Sequence, residues 1–128
     1  MTPFINRLVA AEKYLSKRVV NFNLFAAFQK DDLFKKWDIY VSFQVNEIDR
    51  NEIMEKISKH FQSNLLVNDL ISISRIMYLP PNDKFVKSFT NNLSLEHSCK
   101  EVDNPASNQL HYLQAYIITS SKKIKTSV

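Results

Sequence analysis

The chain has 128 residues, of which 45% are hydrophobic and 23% charged, close to the globular average. That is enough for one domain that buries roughly two-thirds of its unfolded surface without disulfides or a structural metal. It contains no glycine, which excludes a Gly-rich phosphate loop, a dinucleotide fingerprint and a G-x-S-x-G nucleophile elbow, since each needs a backbone that only glycine adopts cheaply. The net charge of +4 suggests nucleic acid, but Lys122, Lys123 and Lys125 carry three of those charges and leave residues 1–121 nearly neutral, so nucleic acid is not an expected partner.

Thr2-Pro3 reads as a helix start, with a capping hydroxyl followed by proline at the first helical position. Phe4, Leu8, Ala11 and Leu15 form one apolar stripe, and Arg7, Glu12, Lys13 and Lys17 fall on the remaining faces. Residues 19–28 suit either a strand or a helix. Val19, Val20, Asn21 and Asn23 are poor helix formers and favour the strand. After a polar connection over 29–36, Trp37 to Val45 alternates without a break. Trp37, Ile39, Val41, Phe43 and Val45 share one face, and Asp38, Tyr40, Ser42 and Gln44 share the other. This is the expected central strand.

Asp49 with Glu52 reads as a capping box for a helix whose buried face is Ile53, Ile57, Phe61 and Leu65. Glu52 with Lys56 and Glu55 with Lys59 make a solvated outer face. Residues 70–79 read as a strand ended by Pro80-Pro81. Asn82 or Asp83 then caps a short helix with Phe85, Val86 and Phe89 turned inward. Residues 95–102 and 110–119 read as two further strands, and left-handed turns are expected at asparagines such as Asn64, Asn68, Asn91 and Asn92. The expected fold is α+β: a two-layer sandwich with one mixed four- or five-stranded sheet and about three helices mainly on one face. Residues 1–121 form the single domain, and 122–128 form a basic tail.

The sheet face left by those helices is the expected working surface. It takes Tyr40, Ser42 and Gln44 from the central strand, Ser72, Ser74, Ile76 and Tyr78 from the next, and Tyr112, Gln114 and Tyr116 from the last. Tyrosines among small hydroxyl side chains suit association, so a noncatalytic interaction module that forms a homodimer or docks another protein is the first reading. The second is a small enzyme or ligand-binding protein with an anion-accepting pocket near Arg75, whose charge interrupts an otherwise apolar strand phase and needs partners. His97, Cys99 and His111 lack the paired spacing of a metal site, and His60 borders an apolar helix stripe, so no metal or cofactor is expected. No apolar run reaches the ~20 residues of a membrane span, and no signal-like segment opens the chain, so a cytoplasmic location and no membrane contact are expected. Cys99, the only cysteine, cannot form an intrachain disulfide.

Overall fold

A computed structural model describes residues 2–103 and 112–122. His111 and most of the basic tail, 123–128, lie outside them. Helix α1 (Pro3–Arg18) starts where Thr2 Oγ1 accepts a hydrogen bond from the Ile5 N–H at 3.2 Å, with proline in the first turn. Strand β1 (Leu24–Lys30) bears out the strand reading for the second half of the 19–28 segment, while residues 19–23 lie outside any strand. Strand β2 (Trp37–Ser42) follows, and all six of its residues are buried. Helix α2 (Glu47–Asn64) begins earlier than the Asp49 cap suggested. Asn46 caps it instead, accepting from the Asp49 N–H at 2.9 Å, and Glu47 and Asp49 lie in a first turn that favours negative charge.

The segment read as one strand from 70 to 79 divides. Its start belongs to a short helix, α3 (Val67–Ser72), and only β3 (Ile73–Tyr78) is extended. Asp69 explains the division: its Oδ2 accepts from the Leu66 N–H at 3.0 Å, closing a helical turn that strand propensity alone could not foresee. Helix α4 (Lys84–Thr90) is capped by Asp83, and β4 (Lys100–Asp103) and β5 (Tyr112–Ser120) complete the chain. No helix among the described residues is long and apolar enough to cross a membrane.

The five strands form one mixed sheet in the order β3-β2-β1-β5-β4, in which only β2 and β3 run parallel. The odd face of β2 lies in the larger core as expected: Trp37, Ile39 and Val41 pack with Ile5, Leu8 and Leu15 of α1 and with Ile53, Ile57 and Phe61 of α2. Leu70 of α3 joins this cluster, so the helices sit mainly on one face.

The opposite face is not open. β3 and β4 are the two edges of the sheet, and the connection between them carries α4 across that face. Val86 and Phe89 are buried there with Leu24, Ala26, Phe28, Tyr40, Tyr112 and Ile117. Phe28 is the hub, its ring 5.0–5.6 Å from those of Tyr40, Phe85, Phe89 and Tyr112. The expected placing of the helices mainly on one face holds for α1, α2 and α3, and α4 is the exception. β3 and β4 are neither adjacent nor parallel, so the handedness rule for parallel crossovers does not constrain α4.

Two further expectations change. Among the described residues the left-handed ones are Lys35 (φ 51°) and His97 (φ 52°), not asparagines, and the expected positions Asn104 and Asn108 lie outside the described residues. Lys35 is held by its N–H donating to Asp32 Oδ1 at 2.9 Å. Glu12, read as solvated, is fully buried. It accepts from Ser16 Oγ at 2.7 Å and Thr119 Oγ1 at 2.8 Å, and meets His97 Nδ1 at 2.7 Å, so the strained His97 backbone is braced by a buried polar group.

Candidate functional site

Two irregularities in strand pairing build the site, and a third acts at the far end of β1. Between Trp37 and Asp38 the register with β3 shifts, so Trp37 pairs with Ile73 but Asp38 with Arg75. The extra residue, Ser74, rotates Arg75 onto the Asp38/Tyr40 face, together with Met77 and Leu79. A second shift in β5 leaves Leu113 unpaired, because Lys30 pairs with Tyr112 and Gln29 with Gln114. Tyr112 and Tyr116, which share a phase by simple alternation, therefore face opposite sides. A third shift at the far end of β1, between Phe25 and Ala26, puts Thr119 within reach of Glu12.

At the β1–β2 turn end, beyond the part of the face that α4 covers, Asp38, Tyr40, Arg75, Tyr112 and Lys30 surround a recess of about 250 Å³, with Asp31 and Asp32 on its margin. Asp38 is 1% exposed. Its Oδ2 accepts a 2.6 Å hydrogen bond from Tyr112, the short distance typical of O–H···O⁻. Tyr40 and Tyr112 oxygens are also 2.6 Å apart. Tyr112 has a single hydroxyl hydrogen and Asp38 receives it, so Tyr40 must be the donor between the two phenols. Tyr40 in turn accepts from Arg75 Nη2 at 3.4 Å. Donation therefore runs one way, from Arg75 through Tyr40 and Tyr112 to Asp38.

Burial, with the hydrogen bonds to Asp38 and Tyr40, pushes the Tyr112 phenol far above its ordinary range, so it stays a proton donor. Burial opposes the Arg75 charge, but hydrogen bonds to Tyr112 and Tyr40 and the charge of Asp38 outweigh it and raise its pKa. The two cations are loosely held. Arg75 Nε lies 3.4 Å and Lys30 Nζ 4.0 Å from Asp38 Oδ1, which is buried and has no hydrogen bond. Lys30 also donates to Ser74 Oγ at 3.0 Å. A guanidinium has five N–H donors, and this side chain lines the recess and is half exposed, so its few long contacts do not use all of them.

The residues expected to form one tyrosine-bearing surface are dispersed. Tyr40 and Tyr112 are buried in the cluster that α4 joins and Ser42 is fully buried, so these three residues do not form an uncovered face. Tyr116 and Tyr78 turn to the helix-covered side, where Tyr116 packs near Trp37 at 5.8 Å and Tyr78 donates to the Phe43 carbonyl at 3.0 Å. Ile76 packs there too. Ser72 lies on α3 and bonds back to the Asn68 carbonyl, while Gln44 follows β2 and is exposed. Ser74 stays exposed at the β3 edge, and Gln114 binds Gln29 Oε1 at 3.0 Å. The expected surface thus resolves into separate packing roles, while Arg75, Tyr40 and Tyr112 converge on one recess.

The other candidates part company. His97 engages Glu12 rather than Cys99, and burial, aided by the charge of Glu101, raises the Cys99 thiol pKa, which disfavours a nucleophilic thiolate. Among the described residues no three His, Cys, Asp or Glu side chains gather as a metal site, and His111 lies outside them. His60 stacks on Tyr14 at 4.4 Å, and burial lowers its pKa. Asp38 is the site residue that alternation concealed. It was legible only as a carboxylate on the polar face of an otherwise apolar strand. No protein-family model, curated protein or solved structure matches this chain.

Proposed function

We propose that this protein is a ligand-binding protein that accepts the anionic group of a small molecule at Arg75 and Lys30, in the recess floored by Asp38, Tyr40 and Tyr112. The observation that carries the reading is the loose grip on two cations beside a buried carboxylate. Contacts of 3.4 and 4.0 Å leave guanidinium and ammonium hydrogens available, whereas an arginine that closes fully on a carboxylate uses a bidentate fork. Such a fork exists elsewhere in the molecule, where Arg7 grips Asp69 at 2.5 and 2.7 Å. The cavity of about 250 Å³ is below the roughly 300–1,000 Å³ of pockets for drug-sized ligands, so the ligand is smaller than a nucleotide.

The phenol pair contributes in two ways. It holds Asp38 without neutralising Arg75, and it gives the recess walls whose hydroxyls have fixed polarity. The test is titration of the full chain with sodium acetate and inorganic phosphate, followed by amide chemical shifts at residues 30, 38, 75 and 112. Saturable shifts at those positions, weakened about tenfold or more in Arg75→Gln, are expected. Shifts absent at millimolar anion, or unchanged in Arg75→Gln, would refute the reading.

A further inference from the structure

The recess holds more carboxylate than its cations balance. Lys30 and Arg75 share it with Asp38, Asp31 and Asp32. The three acids do different work. Asp38 is committed to Tyr112 through Oδ2, and its buried Oδ1 has no hydrogen bond although both cations lie at ion-pair distance. Asp32 shapes the turn, its Oδ1 accepting from the N–H groups of Phe34 and Lys35 at 3.0 and 2.9 Å. Asp31 is exposed on the recess margin and has no hydrogen-bond or ion-pair partner among the described residues.

An anion without a compensating charge enters a recess that already holds three carboxylates against two cations, so each bond it makes to Arg75 is opposed by Asp38 and Asp31. A ligand that also carries a positive group removes that opposition, provided the group reaches the margin and not the floor, where Arg75 and Lys30 would repel it. Resting on the anion-accepting reading above, we infer that the ligand is a small zwitterion of the amino-acid class, its carboxylate on Arg75 and Lys30 and its ammonium on Asp31. Two independent observations carry it: Arg75 and Lys30 line the recess with only long contacts, 3.4 and 4.0 Å, to Asp38, and the exposed Asp31 carboxylate on the same recess has no hydrogen-bond or ion-pair partner among the described residues. The modest volume of the recess, about 250 Å³, suits a molecule of this size.

The experiment is calorimetric titration of the full chain, in parallel, with sodium acetate, ethylamine hydrochloride and each of the twenty common L-amino acids. At least one amino acid is expected to bind about tenfold more tightly than acetate, the effect of one added charge-assisted contact. Asp31→Asn, an exposed and isosteric change, should weaken that amino acid about tenfold, while acetate, relieved of a neighbouring negative charge, binds the variant at least as tightly as it binds the native chain. Acetate binding as tightly as the best amino acid, or an amino-acid affinity indifferent to Asp31→Asn, would overturn the zwitterion assignment and leave the anion site standing. Ethylamine binding alone, with acetate silent, would overturn both.

Discussion

Replacing Tyr112 by Phe removes one oxygen and tests the direction of the hydrogen-bond chain. In the native protein that hydroxyl donates to Asp38 Oδ2 at 2.6 Å and accepts from Tyr40 at 2.6 Å, with both phenols and the carboxylate buried. The variant leaves a buried carboxylate without its only hydrogen-bond donor among the described residues. A hydrogen bond to a charged group is worth about 1.5–3 kcal/mol, and the stranded acceptor adds to the loss, so the expected destabilisation is about 2.5 kcal/mol. For a chain of this length, at about 4 °C per kcal/mol, that lowers the melting temperature by about 10 °C. Tyr40→Phe removes only a phenol-to-phenol donor and a 3.4 Å acceptor, a loss of about 1 kcal/mol, or roughly 4 °C.

The two changes should not add. Without the Tyr112 oxygen the Tyr40 hydroxyl has lost its acceptor, so removing it as well costs little, and the cycle should show about 1 kcal/mol of coupling. Urea unfolding followed by the fluorescence of Trp37, which precedes Asp38 in β2, measures all four proteins. Losses of equal size in the two single variants, or a larger loss in Tyr40→Phe, would refute the deduced direction of donation.

Two further expectations come from outside the recess. The Arg7 hydrogen bond, opposed by burial and joined by the Leu66 N–H, holds the Asp69 carboxyl below its ordinary value of 3.8. This contribution to stability is present in full above the unfolded value and disappears as pH falls through the folded one. Asp69→Asn should therefore flatten the stability profile below about pH 4 without steepening it elsewhere; an unchanged acid limb in chemical unfolding would contradict this. The Cys99 thiol, raised by burial and by Glu101, should react with a disulfide reagent at pH 7 more slowly than free cysteine and accelerate in urea, and reaction at the free-thiol rate would disprove it.

Much of the fold is written in local pattern. The alternation of Trp37 to Val45, the apolar stripe of α1, the Glu–Lys pairs of α2 at 3.4 and 3.2 Å and the inward Phe85, Val86 and Phe89 of α4 are all readable because periods of 2 and 3.6 act within a few residues. The recess was half legible. Arg75 stood out as a charge in an apolar phase, but its partner Asp38 and the separation of Tyr112 from Tyr116 depend on where a strand carries one extra residue. A bulge at Ser74 or Leu113 leaves no periodic trace, since it is chosen by how two distant strands twist against each other.

Amino-acid order by itself determined that this chain alternates into a central strand, opens its first helix at Thr2-Pro3 and its last at Asn82 or Asp83, and has no glycine-built phosphate cradle. Only tertiary structure decided that α4 crosses the tyrosine-bearing face, that Glu12 is buried with His97 and Thr119, and that Asp38 meets Arg75. Caps and periodic stripes are satisfied by neighbours a few residues away. Which sheet face a connection crosses, and which buried carboxylate finds which donor, depends on groups dozens of residues apart that meet only once the sheet has closed its register.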